Sequence, residues 1–113
     1  MKIKTIEKYE AVIIELKGNV MGGDDTKDFN DLLHKLIDEG KKKIVLDLSE
    51  VKFMNSSGLG MLISGLTTVK KSDGVLKLAG TTEKIESLLV ITKLITIFES
   101  YDTVDEALKS FSK

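Results

Sequence analysis

Cysteine and proline are absent from this chain of 113 residues, and histidine occurs once. A chain without cysteine forms no disulfide and no cysteine-based zinc site, and one histidine is too few for a multi-histidine metal site. We therefore expect no metal and no cofactor. Long apolar runs are also lacking, since no stretch approaches the ~20 residues that span a bilayer. We expect no membrane-spanning segment and no membrane partner.

The chain also lacks a large excess of charge of either sign. The 17 basic and 18 acidic residues nearly cancel and leave a net charge of -1. Because nucleic-acid-binding domains usually carry a basic excess on one face, we expect no direct contact with nucleic acid. Met1-Lys2-Ile3-Lys4 runs straight into an alternating strand pattern instead of a signal peptide. This pattern favours a cytoplasmic protein.

What the chain does have is enough apolar material for one core. Hydrophobic residues make up 42% of the sequence, which argues against a disordered tail. A chain of this size matches one compact domain and can bury roughly two thirds of its unfolded surface. Linkers, repeats and low-complexity segments are not evident, so the prediction is a single domain over residues 1–113.

Hydrophobic periodicity predicts alternating strands and helices. Helices are expected after an N-cap in Asp24-Asp25-Thr26 and up to Gly40, from near Ser56, over residues 83–92, and after a capping box that begins at Thr103. Strands are expected at residues 2–7, 11–16, 44–48, 75–79 and 95–98. A loop is expected at residues 18–23.

The order of these elements predicts the fold class. Alternating strands and helices after an opening hairpin imply an α/β fold with a mixed, mostly parallel sheet of four or five strands and about four helices. Functional loops of such sheets gather at the carboxyl ends of the strands. The segment after the strand at 44–48 is therefore a candidate site.

That segment contains the hexapeptide Asn55-Ser56-Ser57-Gly58-Leu59-Gly60. Asn55 or Ser56 can cap a helix that begins here. Gly58 and Gly60 fall in its first turns, where each glycine costs roughly 1 kcal/mol relative to alanine. Glycine at such positions lets another backbone or a large partner approach closely. A serine at a helix N-terminus is also a favourable place for a phosphate, because free N–H groups and the helix dipole attract anions.

Other interpretations of the hexapeptide remain open. Ser56 and Ser57 could simply cap a helix, an interpretation that the residues alone support about as well. A phosphate-binding P-loop is less favoured because its GKS or GKT ending is absent. A serine nucleophile is disfavoured because the G-x-S-x-G pattern is missing and His34 is the only histidine. We expect no enzyme activity and no small-molecule substrate.

The stretch from Phe53 to Gly60 resembles the signature of the STAS domain family, in its anti-sigma factor antagonist branch, usually written M-D-S-S/T-G-L-G. The order of elements also matches over nearly the whole chain, so residues 1–113 are interpreted as one STAS domain. The resemblance implies a protein that binds an anti-sigma factor, often a serine kinase, and thereby releases a sigma factor. The kinase would phosphorylate Ser56, with Ser57 the less favoured acceptor, and a serine phosphatase would restore it.

Two positions depart from the family pattern. Asn55 stands where the family commonly has aspartate, and Met21 stands where an acid is usual in the loop that begins at Gly18. An alternative is therefore a constitutive STAS binding module, linked to a phosphatase regulator or a transporter and not regulated by phosphorylation. The resemblance places the partner-binding surface at Met21, Asn55, Ser56, Ser57, Gly58, Leu59 and Gly60.

Side chains around the hexapeptide carry further expectations. Phe53 and Met54 are interpreted as core residues beneath the loop. Asp47 is expected either to accept hydrogen bonds from amides under the serine turn or to act as an ordinary acid at a strand end. Met21, Met61 and Leu59 could form an apolar docking patch, although core packing is the better interpretation for Leu59.

Overall fold

The computed structural model describes residues 1–112. Within them the chain forms five strands, four α-helices and one short 3-10 helix at Leu94–Thr96. The elements are β1 (Lys2–Lys8), β2 (Ala11–Val20), α1 (Asp24–Asp38), β3 (Lys43–Met54), α2 (Ser56–Lys71), β4 (Val75–Ala79), α3 (Glu83–Ile91), β5 (Glu99–Tyr101) and α4 (Val104–Ser110).

The strands form one sheet in the order β1-β2-β3-β4-β5. β1 and β2 pair as an antiparallel hairpin, whereas the pairs β2–β3, β3–β4 and β4–β5 are parallel. The predicted mixed, mostly parallel sheet with an opening hairpin is confirmed. The carboxyl ends of four neighbouring strands, β2, β3, β4 and β5, therefore lie at one end of the sheet.

Alternation along the strands sends side chains to two faces of the sheet. The larger apolar cluster lies on one face and includes side chains of α1, α2 and α3, among them Phe29, Leu62 and Leu89. The smaller cluster lies on the other face, where Ala107 and Leu108 of α4 pack against the strands. Three helices therefore cover one face, and α4 covers part of the other.

A buried lysine lies between the sheet and α4. Lys77 on β4 is only 6% exposed, and its ammonium lies 4.3 Å from the centre of the Phe111 ring and 5.4 Å from that of Tyr101. The ammonium also donates a hydrogen bond of 2.5 Å to the hydroxyl of Ser110. The aromatic rings and the hydroxyl give the buried charge favourable partners.

β3 is much longer than the predicted strand at 44–48, because it continues to Met54. Its pairing with β2 shifts register twice: Glu15 pairs with Asp47 but Lys17 with Glu50, and Gly18 pairs with Val51 but Asn19 with Phe53. Each shift places one extra residue in β3, as in a β-bulge. β2 likewise extends to Val20, so the loop predicted at 18–23 is shorter than expected.

Two further expectations are wrong. A strand was predicted at 95–98, but a 3-10 turn forms at Leu94–Thr96 and β5 begins only at Glu99. Phe98, between the two, is 5% exposed and belongs to the core. The N-cap of α1 is Gly23 and not a residue of Asp24-Asp25-Thr26. Asp24 and Asp25 instead occupy the first turn, where the helix dipole favours acids.

Candidate functional site

The turn between β3 and α2 is capped by Asn55. Its backbone is extended, and its side-chain oxygen accepts a hydrogen bond of 2.8 Å from the N–H of Gly58. The N–H of Leu59 donates to the carbonyl oxygen of Asn55 at 2.9 Å. Asn55 is therefore the N-cap residue of α2, and the interpretation in which the serines cap the helix is wrong.

Ser56 and Ser57 are the first two residues of α2, and both are exposed. Because Asn55 supplies the side-chain cap, neither serine hydroxyl is the capping group of the helix. The first N–H groups of a helix have no acceptor within the helix. The two serines therefore combine exposed hydroxyls with the end of the helix that favours an anion.

The end of β2 lies tightly against this turn. A Cβ placed on Gly58 would fall 1.9 Å from the carbonyl oxygen of Val20, so only glycine fits at position 58. The same carbonyl oxygen accepts a hydrogen bond of 3.3 Å from the N–H of Asn55. Gly58 thus allows the close approach of β2 from the same chain. The sequence alone had left open whether the approaching backbone belonged to a partner.

A second glycine contact joins the loop after β2 to Ser57. Gly22 has a φ of +77°, and a Cβ on it would lie 2.7 Å from the Cβ of Ser57. Both the positive φ and this close contact favour glycine at position 22. The loop from Val20 to Gly23 and the first turn of α2 therefore pack as one unit, in which Ser57 contacts the loop.

Gly60 differs from Gly22 and Gly58. It is exposed on α2, and a Cβ added there would meet nothing within 4 Å. Within residues 1–112 no contact explains a glycine at this position. The helix tolerates a residue of low helix propensity on its open surface, one turn after Ser56.

Two exposed apolar side chains lie at the strand ends that lead to the turn. Met21 is 44% exposed and Phe53 is 42% exposed. Phe53 was expected in the core, and that expectation is wrong, because the bulge at Lys52 breaks the alternation of β3. Met54 is buried at 5% as predicted.

The docking patch considered for Met21, Met61 and Leu59 does not form. Met61 is 1% exposed and Leu59 is 6% exposed, so both side chains belong to the core. Gly58 is buried as well. Among the seven residues expected at the partner surface, the accessible ones are Met21, Asn55, Ser56, Ser57 and Gly60, of which Asn55 is half-buried.

Acidic groups are scarce at the start of α2, since its first turn contains none. Asp47 does not supply one, because its carboxylate accepts a hydrogen bond of 3.0 Å from the N–H of Ser49 within β3. It is a local turn acid and not a ligand of the serine turn. His34 lies exposed on α1.

The sequence did not reveal the roles of Val20, Gly22 or Phe53. The sequence predicted a loop at 18–23, but the contact of Gly22 with Ser57 joins residues far apart in the chain. The exposure of Phe53 depends on a register shift between two strands, which has no local sequence signal. Among the helices of residues 1–112, none has both the length and the apolar character needed to cross a membrane.

Comparison with known proteins supports the family interpretation. A Thermotoga maritima protein provisionally named an anti-sigma factor antagonist is 35% identical over 75 residues, which are 66% of this chain and 66% of that protein. The chain thus matches about two thirds of the length of this curated relative. A crystal structure of such a protein from the same organism has a TM-score of 0.89 at 25% identity, covering 98% of this chain and 95% of that one.

More distant structures share the fold. The anti-sigma factor antagonist SpoIIAA in its unphosphorylated form has a TM-score of 0.73 at 17% identity, covering 98% of both chains. The Bacillus cell fate determinant SpoIIAA in its phosphorylated form has a TM-score of 0.75 at 18% identity, covering 97% of this chain and 99% of that one. Finally, the sequence model of the STAS domain matches residues 2–107. The chain belongs to the STAS domain family.

Proposed function

We propose that this protein is an anti-sigma factor antagonist that is switched by phosphorylation of Ser56. In its unmodified form it binds an anti-sigma factor that is itself a serine kinase, and this binding releases a sigma factor. Phosphorylation of Ser56 ends the binding, and a serine phosphatase restores it. The observation that carries the proposal is the exposed Ser56 at the first position of α2, in a turn already capped by Asn55.

The helix end is suited to accept the modification. A phosphate adds about -1.5 to -2 charges and three acceptor oxygens, and a helix N-terminus stabilises a negative charge by roughly 0.3–1 kcal/mol. The first turn of α2 contains no acid that would repel it. The fold therefore tolerates phosphorylation at Ser56 without unfolding.

A bound partner tolerates the same phosphate poorly. Met21 and Phe53 place exposed apolar side chains at the strand ends that lead to the turn. A partner that buries these side chains also removes water from the surface near Ser56. Because an unpaired charge is costly to bury, a phosphate there weakens the complex while it leaves the free protein folded.

Ser56 is favoured over Ser57 because of their surroundings. Ser57 contacts Gly22 of the preceding loop through its Cβ and its backbone. Ser56 lies one residue earlier, next to the cap. Modification of Ser57 would add bulk beside a loop that already fits closely, so Ser56 is the better acceptor.

The phosphorylation site is tested by incubating the protein with its cognate anti-sigma kinase and ATP, followed by mass spectrometry of the peptides. We expect one phosphate, on Ser56. The variant Ser57→Ala is the matched control and keeps full labelling, whereas Ser56→Ala abolishes it. Full labelling on another residue would contradict the site assignment.

Binding to the same kinase tests the switch itself. Titration calorimetry of Ser56→Asp, which introduces a negative charge, is expected to give weaker binding than Ser56→Ala, which keeps the size small and neutral. Equal affinities of the two variants would contradict a charge-operated switch.

The missing acids favour a second candidate. Asn55 and Met21 leave the start of α2 without the carboxylates that the family commonly has, and a kinase that recognises those acids would not act here. The protein would then be a constitutive binding module. Tight binding of the partner with no phosphate on Ser56 after incubation with kinase and ATP would favour this candidate.

A further inference from the structure

An open basin of about 950 Å³ lies at the carboxyl ends of β2 and β3, beside the start of α3. Its volume is at the upper end of the range of about 300–1,000 Å³ that is typical of ligand pockets. Four lysines border it, which are Lys2, Lys17, Lys52 and Lys84. All four are exposed.

The basin is more basic than the rest of the protein. Glu50 is the acidic residue of its lining, and its carboxylate lies 3.2 Å from the ammonium of Lys17. Within residues 1–112, Lys2, Lys52 and Lys84 form no salt bridge. The lining therefore has an excess of positive charge, although the whole chain has a net charge of -1.

The backbone places one of these lysines at an irregular position. Gly18 pairs with Val51 and Asn19 pairs with Phe53, so Lys52 is the extra residue of the second bulge in β3. A bulge changes the direction of a side chain relative to a regular strand. The basin is thus shaped by an interruption of the sheet and not by flexible surface residues alone.

We propose that this basin is a docking surface for an acidic segment of a protein partner. Charge complementarity steers and orients such a partner. A nucleic acid is a poorer fit because it needs a basic face that follows many phosphates, whereas the basic residues here surround one basin. The partly buried Met1 and the backbone at Gly18 add apolar and backbone surface to the lining, which suits a peptide chain.

The basin lies close to Ser56. Its lining includes Gly18 and Val51, and the same two strands end at Val20 and Met54, two or three residues further on. With a rise of about 3.3 Å per residue, the separation along the strands is roughly 10 Å. A partner that fills the basin and extends past these strand ends would therefore reach the serine turn.

This proximity explains how phosphorylation of Ser56 would weaken binding at the basin. The explanation rests on the proposed function, which identifies the partner as an anti-sigma factor. A phosphate on Ser56 would stand near the acidic segment of the bound partner and repel it. Because the Debye length is about 8 Å at physiological salt, this repulsion is partly screened there and grows at low salt.

An octaglutamate peptide serves as the probe for the chemistry of the surface. We expect the peptide to shift the amide NMR signals of Gly18, Ser49 and Val51 at low salt, with weaker shifts at high salt. The variant Lys52→Glu/Lys84→Glu should weaken peptide binding by at least roughly tenfold. Lys84→Glu places an acid in the first turn of α3, where the helix dipole favours it, so this variant is expected to fold.

The matched control is Lys70→Glu/Lys71→Glu, which reverses two exposed lysines at the other end of α2. It has the same net charge as the first variant and should retain peptide binding at the basin. Equal loss of binding in both variants would mean that the peptide responds only to net charge, and this result would overturn the proposal. Shifts centred away from the basin would do the same.

The complex with the anti-sigma kinase separates this proposal from the proposed function. If the wild-type protein binds the kinase and Lys52→Glu/Lys84→Glu binds at least tenfold more weakly than the control variant, both stand. If both variants bind the kinase as tightly as the wild type, the docking surface is wrong and the antagonist function stands. If the kinase does not bind at all, the antagonist function fails, and the peptide experiment decides the basin by itself.

Discussion

The carbonyl oxygen of Val20 occupies the place that a side chain at Gly58 would take, with 1.9 Å between that oxygen and an ideal Cβ. This contact joins the end of β2 to the first turn of α2. It gives a structural reason for a glycine in a helix that a stabilising design would avoid. Two other glycines near the serines, Gly22 and Gly60, have different surroundings, and substitutions can distinguish them.

Gly58→Ala should destabilise the protein by roughly 1–3 kcal/mol, the usual cost of overpacking. The added methyl group meets a backbone atom, which cannot rotate away as a side chain can. Urea unfolding followed by circular dichroism measures the change. An unchanged urea midpoint would show that β2 can move away from α2 with no loss of unfolding free energy.

Gly60→Ala should have the opposite effect on stability. Since a Cβ there meets nothing within 4 Å, replacement by alanine should stabilise the protein by about 0.5–1 kcal/mol. If a partner backbone approaches Gly60, the same variant should bind the anti-sigma kinase more weakly. A more stable variant with unchanged affinity would remove Gly60 from the proposed interface.

Asn55 can be tested as a cap separately from its lack of charge. Asn55→Ala removes the acceptor for the N–H of Gly58 and should cost about 1 kcal/mol of unfolding free energy. Asn55→Asp keeps an acceptor and adds a charge that the helix dipole favours, so it should be at least as stable as the wild type. Thermal unfolding of the three proteins at neutral pH checks the order.

The stability at alkaline pH should depend on Lys41. Hydrogen bonds to the carboxylate of Glu7, and then to that of Glu39, raise the pKa of the Lys41 ammonium above its ordinary value of 10.5. A pKa raised in the folded state adds stability that is fully present below the unfolded pKa and is lost as pH rises through the folded pKa. The pair with Glu7 connects β1 to the segment after α1, and the pair with Glu39 lies within that segment.

Lys41→Met should therefore reduce the fall in stability above pH 10.5, the ordinary pKa of this lysine. Urea unfolding from neutral to alkaline pH gives the comparison. Lys42→Met is the control, because Lys42 is exposed and forms no salt bridge within residues 1–112. If both variants follow the same pH profile, the ion pairs of Lys41 add nothing.

The parts of the fold that could be predicted are those governed by local patterns. The apolar stripe that includes Phe29 and Leu33 predicted α1, and the β-branched run from Ala11 predicted most of β2. The length of β3 could not be predicted, because its second half depends on pairing with β2 through two register shifts. Lys77 was missed because lysine is rarely buried, and its aromatic partners come from β5 and the end of α4.

In the candidate site, too, features set by local sequence could be predicted and those set by distant contacts could not. The hexapeptide could be located from its strand-to-helix position, and a cap at Asn55 or Ser56 could be anticipated from residue type. The choice of Asn55 depends on the extended backbone at that residue. The contacts of Gly58 with Val20 and of Gly22 with Ser57 join segments distant in sequence, and such contacts leave no periodic signal.

The two glycine contacts have a consequence for experiments with fragments. The shape of the serine turn depends on Val20 and Gly22, which belong to a different part of the chain. A synthetic peptide of residues 53–60 has neither support and would sample many conformations in water. An enzyme or antibody that recognises the folded turn would therefore ignore the peptide, so the hexapeptide is a conformational epitope and not a linear one.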